Sequence, residues 1–200
     1  DLINNDSTFC DAYYLAGCTF QLSHKDQDAF NYYYMADSLS NNKSMLFKQD
    51  LAYMAGKMGN FQFARKKYEE MKHFFPKSPE GYYGIASSSL AIGDSEYGLE
   101  NIKLAMLAYN QYGLEQALDV YLIQGILLTL NEKYDESIVS FEKLVWPITA
   151  SDTFRAHYAL SLLKEGKLNN DEKQIKKAKK LYGKVKNKTA LSEKITSEFQ

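Results

Sequence analysis

Glu70 and His73 stand one helical turn apart, a carboxylate and an imidazole that would share one helix face and could contribute to a metal site. Such a site needs a second pair and further carboxylates, and the sequence supplies neither. His24 and His157 have no comparable neighbours, and Cys10 and Cys18 lack a zinc-ligand spacing, so no metal or other cofactor is expected. If both cysteines lie on one helix they are separated by about 12 Å along its axis, too far for a disulfide, whose Cα atoms lie within roughly 7 Å. Gly81-Tyr82-Tyr83-Gly84 invites comparison with a glycine-rich loop, but it follows Ser78-Pro79, a helix-start signal, and reads instead as a close-packing segment inside a helix. The lysines of Lys176-Lys177 and Lys179-Lys180 could meet phosphate or an acidic partner by charge alone. Ile175, Ala178, Tyr182 and Val185 mark the other side of the same helix, which makes the lysines its solvated face. Nucleophile elbows, phosphate loops and dinucleotide fingerprints are missing, so no catalytic residues are assigned and an enzyme is not expected.

The elements that must carry any binding chemistry are helices. Hydrophobic residues form 45% of the 200-residue chain and charged residues 24%, the balance of a folded globular protein rather than a disordered one. The longest apolar stretch, Ile123 to Leu130, is interrupted by Gln124 and Gly125 and is too short to span a bilayer. Asp1 to Asp6 carry no basic or apolar segment, so a signal peptide is not expected there. The formal charge of −1 gives no global attraction for nucleic acid, although residues 164–200, with their many lysines, are distinctly basic.

A period of about 34 residues runs through the chain. Small residues recur at Gly17, Ala52, Ala86, Gly125 and Ala159, spaced by 35, 34, 39 and 34. A second set, Ala29, Ala64, Gly98, Ser137 and Ala178, is followed four positions later by Tyr33, Tyr68, Ile102, Phe141 and Tyr182. Small side chains let paired helix backbones approach, and the bulky residue fills the wedge beside them. Gly93-Asp94 and Trp146-Pro147 punctuate helices, Asn110 to Gly113 marks an extended loop, and extra residues lie around Leu168 to Gln174. Leu191, Ile195 and Phe199 have the spacing of a helix that closes the open end of a stack.

The block Gly59-Asn60-Phe61-Gln62-Phe63-Ala64 with Tyr68, Met71 and Pro76 resembles the second half of a tetratricopeptide repeat, and the resemblance extends over roughly residues 10–188. Lys48 and Arg155 depart from the pattern by replacing an early aromatic, and Gln124 replaces the usual leucine. The resemblance implies an all-α, right-handed superhelical array of about five helix-turn-helix repeats in one domain over residues 1–200. The repeats are placed at 10–43, 45–78, 79–112, 118–151 and 152–188, with a capping helix in 189–200.

It also implies a concave groove lined by the first helix of each pair. The matching positions are Tyr14, Cys18 and Gln21; Gln49, Tyr53 and Lys57; Tyr83, Ser87 and Leu90; and Leu122, Ile126 and Thr129. This lining is aromatic and apolar and suits a mixed or apolar segment, though some of these side chains could equally pack on the neighbouring repeat. The basic clamp by which family members grip chaperone tails is missing, its positions being Tyr14, Cys18, Asp50, Glu80 and Gly84. A scaffold or adaptor binding a protein or peptide is therefore expected, with no nucleic acid, no transmembrane segment and an open oligomeric state. The alternative is a glycan-binding helical-repeat protein of a bacterial surface, since tyrosine rings can stack on sugars. The resemblance leans towards a periplasmic or envelope setting, otherwise a cytoplasmic one.

Overall fold

A computed structural model of the chain describes residues 9–188 and 192–200. Asp1 to Asp6, on which the signal-peptide expectation rests, and Leu191 lie outside the described residues. All regular structure among the described residues is helical. The helices are α1 (Cys10–Leu22), α2 (Asp26–Leu39), α3 (Met45–Lys57), α4 (Phe61–Phe74), α5 (Pro79–Ile92), α6 (Ser95–Gln111), α7 (Leu118–Leu130), α8 (Tyr134–Phe141), α9 (Asp152–Leu168), α10 (Glu172–Tyr182) and α11 (Glu193–Ser197), with a 3-10 turn at Ile148–Ala150.

Local chemistry sets many of these boundaries. Side chains of Ser44, Asn60, Ser151 and Asp171 accept hydrogen bonds from the first-turn N–H groups of α3, α4, α9 and α10, satisfying donors that have no partner inside the helix. Gly93 ends α5 at a φ of 92°, a left-handed conformation that a Cβ disfavours. Ser78 precedes Pro79 as expected, but its hydroxyl donates to the Glu80 carboxylate instead of capping the backbone. Two punctuation marks act differently from the sequence expectation. Helix α8 stops at Phe141, ahead of Trp146-Pro147, and α6 runs through to Gln111 before the loop begins. The extra residues near Leu168 lengthen α9 to 17 residues, against 13 in α1.

The chain divides into two compact units, residues up to Asp94 with Leu104–Gly113, and Ser95–Lys103 with Leu114–Gln200. In the first unit α1 packs on α2, α2 on α3, α3 on α4 and α4 on α5. The small-against-aromatic pattern is visible as contact: a Cβ on Gly17 would fall 2.6 Å from the Tyr33 ring, and one on Gly84 would fall 2.2 Å from Tyr68. Ala29, Tyr33, Leu51 and Met54 form a fully buried cluster bordered by Tyr14, Phe20, Phe30 and Phe63.

Lys48, which breaks the aromatic pattern, is 1% exposed and is held by Asp37 at 2.9 Å and Glu70 at 3.0 Å. Lys67 bonds the same two carboxylates, each at 2.9 Å, so two cations and two anions cancel inside the fold. Burial alone would raise the Glu70 carboxyl, but hydrogen bonds from Lys67 and Lys48 outweigh it and hold the carboxyl below its ordinary value.

In the second unit α7 packs on α8, and α9 contacts α7, α8, α10 and α11. A Cβ on Gly125 would sit 2.6 Å from Phe141, repeating the arrangement of Gly17 and Tyr33. The remaining departures from the repeat pattern are also satisfied locally: Ser140 donates to Gln124, while Arg155 reaches Asp152 and the Lys184 carbonyl. Ile195 of α11 is buried with Ala156, Ala159, Leu160, Tyr182 and Val185, and Phe199 stacks on Tyr182 at 4.0 Å. The C-terminal helix thus covers apolar surface at the end of this unit.

Candidate functional site

Residues three or four apart on a helix share a face, so each first helix presents a short row of side chains. In the first unit α1 contributes Gln21, α3 contributes Gln49, Asp50 and Tyr53, and α5 contributes Glu80 and Tyr83 to one cleft. Its volume is about 340 Å³, and Tyr68 of α4 completes the wall. Four of the residues expected from the sequence, Gln21, Gln49, Tyr53 and Tyr83, are thereby brought together.

The wall is braced from behind. The Tyr14 hydroxyl donates to Asp50 at 2.8 Å, and its ring stacks on Phe47 at a centroid distance of 4.8 Å. Tyr33 donates to the Gln21 side-chain oxygen at 2.5 Å and lies 3.5 Å from the Cys18 sulfur. Burial, followed by the hydrogen bond to Asp50, pushes the Tyr14 phenol up; burial and then Cys18 do the same for Tyr33. Both remain neutral donors. Tyr68 is pushed up to about 12, chiefly by burial and then by the Asp50 charge. Burial raises the Asp50 carboxyl too, with only the Tyr14 hydrogen bond acting against it. The cleft therefore combines tyrosine rings, two amides and two carboxylates.

The other expected residues are placed differently. Tyr14 and Cys18 support the wall rather than line it. Lys57 pairs with Asp26 at 2.6 Å on the surface, and Ser87 and Leu90 are half-buried on α5. In the second unit Leu122 is half-buried. The groove assignment of Ile126 and Thr129 is corrected: Ile126 is 5% and Thr129 2% exposed. Thr129 donates to the Gly125 carbonyl at 2.8 Å and its hydroxyl meets those of Ser137 and Ser161 at 2.8 and 2.9 Å. A hydroxyl committed to that buried cluster has no surface role.

Asp50, Tyr68 and Glu80 were the missed lining residues. Their signal was available, since Asp50 and Glu80 each lie three positions before Tyr53 and Tyr83 and so share their faces. Glu70 is bound up with Lys48 and Lys67, and no cluster of three or more His, Cys, Asp or Glu suited to a metal occurs among the described residues. Lys176, Lys179 and Lys180 are exposed, while Lys177 donates to Tyr158 at 2.8 Å. No helix among the described residues is long and apolar enough to cross a membrane.

No protein-family model and no curated protein sequence matches the chain. Solved structures do. YrrB, described as a TPR protein with an unusual peptide-binding site, superposes with a TM-score of 0.71 at 10% identity, covering 92% of this chain and 90% of its own. The MamA protein gives 0.68 at 18% identity over 92% and 97% of the two chains. TTC0263, a thermophilic TPR protein of Thermus thermophilus, gives 0.58 at 16% over 94% and 98%. At these identities the likeness is one of fold. The chain has the all-helical fold of tetratricopeptide-repeat proteins, at low sequence identity to them.

Proposed function

We propose that the chain is a non-catalytic interaction scaffold that binds an extended peptide segment of a partner protein along the first helices of its N-terminal unit. One observation carries this reading: Gln21, Gln49, Tyr53 and Tyr83, supplied by three first helices, converge on one cleft. Amide side chains can bond a peptide backbone, and tyrosine supplies rigid apolar area at little entropic cost. Repeat proteins of this fold include one described by its peptide-binding site, which supports the same use here. Supports such as Tyr14 and Tyr33 hold the cleft ready before binding, which lowers the ordering cost of association.

Affinity capture from the native cell with the parent chain, Tyr53→Ala and Tyr83→Ala tests the reading. Tyr53 is 53% exposed, so its truncation should spare the fold while removing contact area. A partner retained by the parent and lost from both variants is the expected result. Undiminished capture by both variants refutes the cleft as the binding surface.

A further inference from the structure

The charge of the cleft narrows what it binds. Asp50 and Glu80 both face it, and no basic side chain among the described residues lines it. Several basic residues of these helices are engaged elsewhere: Lys48 and Lys67 with Asp37 and Glu70, Lys57 with Asp26, Arg65 with Asp94, and Lys72 over the Tyr82 ring. Asp50 accepts from the neutral Tyr14 hydroxyl and has no ion-pair partner among the described residues. Glu80 accepts from the Ser78 hydroxyl. A carboxylate has about four acceptor sites, so one neutral donor leaves most of the Asp50 capacity unused in a half-buried setting. Two like charges facing one concavity repel each other, and a cation between them relieves both that repulsion and the desolvation.

The rings decide which kind of cation. Tyrosine faces attract an ammonium or guanidinium group electrostatically, and they also pack against an aliphatic stem. Two carboxylates beside tyrosines are a poor oxygen shell for a calcium-like ion, which takes roughly six to eight ligands. A volume of about 340 Å³ accommodates one long side chain. We propose that the cleft holds the side-chain cation of a lysine or arginine in the bound peptide, set between Asp50 and Glu80 with its stem against Tyr53 and Tyr83. This rests on the peptide-scaffold reading and makes the site selective for a basic residue within the segment.

Selection of a short randomised peptide library against the full chain, followed by fluorescence-anisotropy titration of synthetic winners, tests it. The selected peptides should share a lysine or arginine at one position. Changing that residue to norleucine or citrulline should weaken binding by about tenfold or more, as should Asp50→Asn and Glu80→Gln. Asparagine at position 50 can still accept from Tyr14, so the thermal midpoint serves as a folding control, and Glu80→Gln provides an independent variant. Peptides that bind the parent, lose affinity for Tyr53→Ala and Tyr83→Ala, yet need no basic residue would overturn the cation site and leave the peptide cleft standing. Equal affinity for the parent and both tyrosine variants, or no enrichment at all, would remove the cleft reading and the cation site with it.

Discussion

Asp37→Ala removes one anion from the buried set of Lys48, Lys67, Asp37 and Glu70. Lys48 is 1% exposed and the Asp37 side chain 3%, so neither can turn to water. The loss leaves two cations sharing Glu70, which is 27% exposed and partly solvated. Breaking a buried pair from one side costs about 3–5 kcal/mol, because the remaining charge stays desolvated without its partner. Access of water through Glu70 places this variant at the lower end, about 3 kcal/mol. Lys48→Met leaves one uncompensated anion in the same place and should cost a similar amount. The double variant Asp37→Ala with Lys48→Met leaves Lys67 and Glu70 as a balanced pair at 2.9 Å. Its cost should fall short of the sum of the single effects by about 2 kcal/mol or more. Urea unfolding followed by far-ultraviolet circular dichroism, with an unchanged denaturant slope, measures all three. Raising the salt concentration should barely alter the single-variant costs, since buried pairs are weakly screened. Single costs below about 1 kcal/mol that simply add would refute the argument, because that is how exposed ion pairs behave.

His157 should make stability fall on mild acidification. Burial lowers its pKa to about 4, against an ordinary 6.5, so the fold favours the neutral ring; stability is intact above 6.5 and declines as the pH drops towards 4. At about 1.4 kcal/mol per decade the full effect is about 3 kcal/mol, and His157→Gln should flatten that window in urea midpoints measured across pH. Below its ordinary 4.5, Glu70 adds a further loss, because its folded carboxyl is held lower by the two lysines and stability disappears as the pH falls through that value. Gly84→Ala should lower stability by about 1–3 kcal/mol, its new Cβ falling 2.2 Å from the Tyr68 ring. By contrast Gly56→Ala, whose Cβ would meet nothing closer than Ala64 at 3.9 Å, should be neutral or stabilise by up to about 1 kcal/mol. Equal thermal midpoints for the two alanine variants would contradict the close helix crossing at Gly84.

Much of the fold was legible in the chain because the constraints that build it are local and periodic. Gly17 and Tyr33, or Gly125 and Phe141, keep the same separation in sequence because each pair closes one crossing of adjacent helices. Helix starts were less legible: Ser78, the cap expected from the sequence, bonds Glu80 instead, while Ser44, Asn60, Ser151 and Asp171 bond their own first turns. Less of the cleft was legible. Tyr53, Tyr83 and the two amides follow from the repeat register, but in the sequence Tyr68 reads as a wedge-filling aromatic, and Asp50 and Glu80 read only as positions where a basic clamp is missing. Thr129 fitted a groove position equally well until Ser137 and Ser161 were seen to enclose its hydroxyl.

The amino-acid sequence by itself determined that this protein is a run of helix pairs with small residues at their crossings, because the period that specifies them is written within each repeat. Tertiary structure alone decided which polar groups meet. Lys48 finds Asp37 and Glu70 across 11 and 22 residues, and Tyr14 finds Asp50 across 36. Those partners depend on how helix faces turn towards one another, and a buried charge and a solvated one look the same in the sequence until that turning is fixed.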